Sequence, residues 1–405
     1  MKKKTPKFGI IREGKTPPDT RVPLAPQQCA HILQQYPVEL KVEQSPIRCF
    51  SDDDYANQQI ELTNDISSQD ILLGVKEVPI DQLIPNKTYS FFSHTIKKQA
   101  YNRKLLLAIL EKNIRLIDWE VLTNEKGKRV IAFGRFAGMV GAHNGILAYG
   151  LRTGAFSLKR MKDCHDYAEA QQLYKSLQLP PMKIVLTGTG RVGNGAADVL
   201  RDMGIRQVDT QSFLNESFKE AVFTQLTCSD YAARKDDNSF DKQDFYTRPY
   251  EYKSIFAPYY QVADLMINGI YWDNKAPAFF TRKEMTQPDF HIRVIADVTC
   301  DIAPVSSIPS TLRASTISDP IFGYDPQLGV ETEAFQNSSI DMMTIDNLPN
   351  ELPRDASTAF GQQFIDYVLP EFLKADSAML ERATVAENGQ LGKHFQYLKD
   401  YVDGF

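Results

Sequence analysis

Cysteine is scarce in this sequence. Five residues in 405, Cys29, Cys49, Cys164, Cys228 and Cys300, are scattered, with no Cys-x-x-Cys and no cysteine–histidine cluster. That pattern excludes a zinc-ribbon framework and argues against a disulfide scaffold. Free thiols in a reducing compartment are expected, with one internal pair left open, and no metal centre. Long apolar runs are missing too, and none approaches the ~20 residues of a membrane helix. The one basic block, Lys2-Lys3-Lys4, precedes only Phe8-Gly9-Ile10-Ile11, which is too short for a signal-peptide core. With a formal charge of −5 there is no general nucleic-acid footprint. A cytoplasmic protein without membrane or nucleic-acid partners is the expectation.

What the chain does have is length. At 405 residues it is too long for one ordinary core, so two domains are expected. In the first third, short apolar runs alternate with helical patterns. Strands are predicted at residues 8–11, 38–42, 71–75, 89–92 and 115–119, and helices at 26–36, 53–59 and 100–112. Such alternation argues for a parallel α/β sheet. Residues 137–158, rich in Ala and Gly, read as an interdomain helix. Pro180-Pro181 marks a boundary, and a second α/β unit begins at residue 182. Residues 230–260, charged and tyrosine-rich, read as a surface excursion. Further strands are predicted at 265–267 and 294–296. An amphipathic helix is predicted over 356–373, with Phe360, Phe364 and Val368 in line.

The most specific local signal is Gly188-Thr189-Gly190-Arg191-Val192-Gly193. It follows the apolar run Ile184-Val185-Leu186 and opens a helix with Ala196, Val199, Leu200 and Met203 on one face. Glycines at these positions allow a tight turn, backbone access to a pyrophosphate, and close packing of helix on strand. The helix N-terminus then offers N–H groups to phosphate. Gly-x-Gly-x-x-Gly framed by strand and helix implies a nicotinamide dinucleotide. Asp209, near the expected spacing for a ribose-binding acid, favours NAD by a small margin. Arg206 beside it would suit the 2′-phosphate of NADP.

In open α/β sheets ligands bind beyond the carboxyl ends of strands. In the first domain those ends carry Arg21, Lys76, Glu77, His94 and Glu120; in the second, Asp297 and Asp301 follow a strand. Lysine and histidine at a shared cleft suit acid–base work, because burial and neighbours draw both toward neutrality. Arginine suits a carboxylate. Lys76–Glu77 would equally suit an exposed pair, His94 a helix cap, and Arg21 a surface charge.

These residues carry a resemblance. Thr20-Arg21-Val22-Pro23-Leu24-Ala25-Pro26 and Gly74-Val75-Lys76-Glu77-Val78-Pro79 resemble motifs of alanine dehydrogenases and lysine-forming saccharopine dehydrogenases. Phe91-Phe92-Ser93-His94-Thr95-Ile96-Lys97, Ile267-Asn268-Gly269-Ile270-Tyr271-Trp272 and Ile345-Asp346-Asn347-Leu348-Pro349 are similar to the lysine–ketoglutarate reductase branch. The matches run over about residues 10 to 370. The resemblance implies two Rossmann-like domains with parallel sheets and the active site in the cleft between them. Residues 1–136 plus 345–405 would form the substrate domain, and 137–344 the dinucleotide domain. It implies that Lys76 and His94 are the acid–base pair, that Arg21 helps bind a substrate carboxylate, and that Glu77 and Glu120 tune the pair. Asp301 matches a functional aspartate, and Asp346, Asn347 and Leu348 match a loop over the nicotinamide. That loop ends Pro349-Asn350 where alanine dehydrogenases have Pro-Gly. Bifunctional relatives carry a second enzyme domain after the reductase, and a chain of this length is expected to hold the reductase part alone.

The activity so implied is NAD(P)-dependent oxidoreduction at a CH–NH bond, interconverting saccharopine with lysine and 2-oxoglutarate. Its partners would be amino-acid and 2-oxo-acid substrates. Alanine dehydrogenase chemistry and a non-catalytic nucleotide sensor stand as alternatives. Saccharopine's three carboxylates need cations beyond Arg21, and Arg135 and Lys98 are candidates.

Overall fold

The computed structural model describes residues 5–404, which divide into two compact units. One holds the described residues up to Phe133 and from Pro353 onward; the other is Gly134–Leu352. Both are α/β, each built on an eight-stranded, mostly parallel sheet. The expected pair of Rossmann-like domains is therefore present. Among the described residues no helix is long and apolar enough to cross a membrane, and the five cysteines are unbonded.

In the first unit β1 (Lys7–Ile10) is flanked by β2 (Glu39–Glu43) and β4 (Ile71–Leu73), with β3 (Glu61–Thr63) outermost. The other side continues through β5 (Thr88–Phe91) and β6 (Arg115–Asp118). Two antiparallel tail strands, Thr384–Glu387 and Gln390–Leu391, close that edge. Helix α1 (Pro26–Gln35) buries Cys29 and Ile32, and α2 (Arg103–Glu111) buries Leu105, Leu106 and Ile109. Those are the 3.6-residue stripes visible in the sequence.

The tail helix expected over 356–373 is interrupted. It runs Pro353–Gln363, widens into a π turn over Phe364–Val368, and resumes at Leu369–Phe372. Pro370 has no amide hydrogen, so the regular i→i−4 ladder cannot continue through it. The buried stripe survives. Phe360 stacks on Phe133 with centroids 4.5 Å apart, and Phe364 meets Phe8 edge-on.

In the second unit β7 (Lys183–Thr187) sits between β9 (Val222–Leu226) and β12 (Leu265–Asn268). The short β8 (Arg206–Gln207) lies outside β9, and β13 (Val294–Asp297) outside β12. The sheet ends with β14 (Ile321–Asp325), β15 (Val330–Thr332) and β16 (Ile340–Met343), of which β16 pairs with β13. The long helix α3 (Gly134–Thr153) packs on α4 (Arg191–Asp202) inside this unit. Its small residues serve that contact: a Cβ on Gly138 would lie 1.8 Å from the Val192 carbonyl oxygen.

Residues 230–260 are a correction to the surface excursion expected. They form a hairpin of β10 (Ala232–Arg234) and β11 (Tyr252–Ser254). Tyr231, Phe245, Tyr252, Phe256 and Tyr259 are buried in the unit's core. Their spacing follows irregular backbone, which is why no helical or strand period betrays their burial.

Candidate active site

The first unit gathers its ionisable groups beyond the carboxyl ends of β1, β4, β5 and β6. His94 follows β5 in the left-handed region (φ 53°), its ring parallel to Phe92. It makes no side-chain cap to the short helix after it, so the capping alternative is not realised. Its Nε2 faces Glu77 Oε1 at 3.8 Å, and its Nδ1 faces Glu120 Oε2 at 3.7 Å. Those two oxygens are buried and accept no hydrogen bond among the described residues. The other oxygens are taken, Glu77 Oε2 by Lys15 at 2.7 Å and Glu120 Oε1 by Lys97 at 3.2 Å. Burial works against the Glu120 charge, but His94 and Lys97 outweigh it and hold the carboxyl at about 2.

Lys76 follows β4. Burial first, then the Arg21 charge, draws its ammonium below the usual lysine range, with Asp19 and Glu77 opposing. Its backbone is pinned by Glu13, which the sequence reading missed. Glu13 accepts from Val75 N–H at 2.6 Å and Lys76 N–H at 2.9 Å. Burial, and next the Asp19 charge, push the Glu13 carboxyl up to about 8. Its place in the loop straight after β1 was the available signal.

Arg21 departs from expectation. It is buried, and its guanidinium is gripped by Asp19 through Nε–Oδ1 (2.9 Å) and Nη2–Oδ2 (2.6 Å), above the Phe133 ring. The fork expected to hold a substrate carboxylate is thus engaged by a protein carboxylate two residues away. Of the extra cations, Arg135 pairs with Asp198 and Lys98 lies over the Tyr397 ring.

The second unit places the glycine turn at the carboxyl end of β7. Gly188 has φ 96°, and a Cβ there would lie 2.6 Å from the Gly269 oxygen. On Gly193 it would lie 2.0 Å from the Gly188 oxygen. On Gly190 it would meet nothing within 4 Å. The outer glycines are demanded by the fold, whereas the middle one leaves space above an α4 N-terminus that has no side-chain cap. That space suits a pyrophosphate, so the residues present fit a dinucleotide. Thr189, Arg191 and Val192 lie in the same turn, with Arg191 exposed and Val192 half-buried. Gln225 Nε2–H ties β9 to the turn through the Gly188 oxygen at 2.9 Å.

A pocket opens here, lined by Gly188–Gly190 of the turn, Thr227 and Cys228 after β9, Tyr246 of the 230–260 segment and Tyr271 after β12. It lies where the chain crosses from one side of β7 to the other, the switch point at which such sheets bind ligands.

Asp209 is a correction. The strand beside β7 is β9, which ends at Leu226, not the short β8. Asp209 is exposed and caps α5 (Thr210–Asn215) by accepting from Ser212 N–H at 3.0 Å. Thr227 and Cys228 hold the position where a ribose-binding acid was expected. The nearest carboxylate along the chain, Asp230, accepts from Thr227 N–H and Oγ1–H at 2.7 Å.

Asp301 and Asp346 are exposed near Cys300, whose thiol burial and the carboxylates of Asp297, Asp346 and Asp301 push up. Asn347 is half-buried. Leu348 is buried and begins a turn, Leu348–Glu351, that packs on α3.

Fold and site together define a two-unit α/β protein with a dinucleotide-type glycine turn in one unit and a cluster of ionisable side chains at the strand ends of the other. Residues 9–140 match the family model described as Alanine dehydrogenase/PNT, N-terminal domain. The expected resemblance to the saccharopine dehydrogenase branch holds along the chain. It is 30% identical over 445 residues to the mitochondrial alpha-aminoadipic semialdehyde synthase of Bos taurus, a match covering 97% of this chain and 47% of that protein. To the saccharopine dehydrogenase (NAD(+), L-lysine-forming) of Emericella nidulans it is 26% identical, covering 89% and 90%. The chain thus spans about half the length of the first of these relatives. Among solved structures an L-alanine dehydrogenase superposes with TM-score 0.66 at 16% identity, covering 98% of this chain and 99% of that one. That likeness concerns the fold alone.

Proposed function

We propose that this chain is an NAD(P)-dependent amino-acid dehydrogenase of the lysine-forming saccharopine type, joining lysine to 2-oxoglutarate by reductive amination. The observation that carries this is His94, facing two buried carboxylate oxygens that have no hydrogen-bond partner among the described residues, in the same strand-end cluster as a lysine that burial makes readier to give up its proton.

A dinucleotide at the glycine turn would supply the hydride. The protein's work is proton transfer. Lys76, weakened as an acid-holder by burial, accepts the proton that the substrate amine loses on attacking the ketone. Returned to the ketone oxygen, that proton completes the carbinolamine; His94 then protonates the hydroxyl, which leaves as water while the nitrogen lone pair forms the iminium. Glu77 and Glu120 stabilise the imidazolium between these steps, with Lys15 paired to the one and Lys97 to the other. The Arg21–Asp19 pair serves a substrate carboxylate only if that carboxylate shares or displaces Asp19. Asp301 and the segment Asp346 to Leu348 belong to the nicotinamide side in this reading. With Asp209 acting as a helix cap, the ground for preferring NAD disappears, and either dinucleotide remains a candidate.

The test follows NADH and NADPH oxidation with lysine plus 2-oxoglutarate, and separately with pyruvate plus ammonium. Turnover with the first pair is expected. Turnover with pyruvate and ammonium alone would overturn the substrate assignment. Tight dinucleotide binding with no turnover in either pair would make the chain a sensor.

A further inference from the structure

A buried carboxylate outside the acid–base set has no role in the steps above. Asp118 ends β6, opposite Phe91 of β5, and is fully buried. Its Oδ2 accepts from Ser93 N–H at 3.1 Å and from Ser93 Oγ–H at 2.5 Å. Its Oδ1 accepts from Glu120 N–H at 2.8 Å. Ser93 Oγ in turn lies 2.7 Å from Thr95 Oγ1 and accepts from Thr95 N–H at 3.2 Å. Ser93 and Thr95 are both buried. The residues before and after His94 are therefore tied, directly or through Ser93, to one carboxylate, which also fixes the backbone of Glu120.

That tie bears on a conformational cost. A non-glycine residue in the left-handed region carries a conformational cost and persists only where its surroundings over-determine it. His94 has φ 53° and ψ 8°, and its own ring makes no hydrogen bond that would hold it there. Neither Glu77 nor Glu120 approaches it within hydrogen-bond reach. The restraint comes from the flanking residues instead.

We propose that Asp118, acting through Ser93 and Thr95, is a positioning residue that holds the His94 imidazole between Glu77 and Glu120. This rests on the acid–base reading of His94. Freed from Asp118, the loop relaxes toward ordinary backbone and the ring leaves its place between the carboxylates. Misplacement of a reacting group by about 1 Å costs on the order of 10²-fold in rate.

The test uses the full chain with H94A, D118N, S93A and the combination H94A/D118N. D118N and S93A are each expected to lower kcat about 10- to 100-fold and to leave dinucleotide affinity unchanged. In the H94A background D118N should remove nothing more, since it acts only through His94. A further loss there, or full kcat in both D118N and S93A, overturns the proposal. The imidazole 15N resonances of the free protein, with His94 assigned by their loss in H94A, give a readout that needs no substrate. They should move in D118N and S93A, and unmoved resonances overturn the proposal whatever the substrate is. Loss of turnover in H94A with full turnover in D118N removes the positioning role and leaves the acid–base reading standing. Full turnover in H94A removes both.

Discussion

The two sheets share a design and put different chemistry at their strand ends. In the first unit the loops after β1, β4, β5 and β6 carry ionisable side chains, and what distinguishes them is how their charges are partnered. Glu13, Lys15, Asp19 and Lys97 all touch or pin members of the cluster. In the second unit the loops after β7 and β12 carry glycine, and what distinguishes them is the absence of side chains. A charged cluster needs neighbours from distant loops to set its protonation. A phosphate cradle needs backbone N–H groups and empty space, which one short segment supplies.

The sharpest way to break this comparison lies in the glycine turn. Gly193→Ala would place a Cβ 2.0 Å from the Gly188 oxygen, so it should lower the melting temperature and abolish dinucleotide binding together. Gly190→Ala meets open space in the protein and has an ordinary φ of −84°. Its melting temperature should match the parent's, while dinucleotide affinity, measured by titration, falls roughly tenfold or more, about 1.4 kcal/mol per decade. Equal effects of the two substitutions would mean that the middle glycine serves the fold and not a ligand.

A smaller effect is expected in the first unit, where charge should make stability depend on pH. Glu13 is raised from near 4.5 to about 8 in the folded chain. The folded state then binds more protons than the unfolded one across that interval, so stability falls as pH rises through it. The contribution is complete below about 4.5 and gone above about 8. Melting curves between pH 5 and 9 should show this decline, and Glu13→Gln should flatten it. An unchanged slope in Glu13→Gln would assign the decline to another group.

The smallest effect concerns Asp209. Asp209→Ala removes the cap of a short exposed helix, so a slight drop in melting temperature is expected, with the preference between NADH and NADPH unchanged. A shift in preference would return Asp209 to the ribose.

Most elements that position the site were legible because they are local. The strand before Gly188, the stripe of α4 and the apolar runs ending at Lys76, His94 and Glu120 follow from periodicity. The strand Val222–Leu226 was not anticipated, and that omission displaced the ribose position. Counting residues from the glycine turn assumes that the next strand in sequence lies beside β7; here an intervening short strand takes the edge instead. Arg21 shows the other limit. Its type and motif suggested a carboxylate grip, and Asp19, only two residues away, takes that grip. Glu13 and Asp118 were passed over because nothing local separates a buried carboxylate that holds backbone amides from an ordinary surface acid.

The glycine turn, the alternation of strand and helix, and the chemical types at the strand ends are all readable from the residues alone. Each is written in a few consecutive residues and in the short-range sterics of the backbone. Which strand lies beside β7, which carboxylates face His94 and which partner holds Arg21 emerge only once the chain is folded. Strand order and ion pairing are settled by burial among residues far apart in the chain, where the cost of an unpaired charge selects the partner.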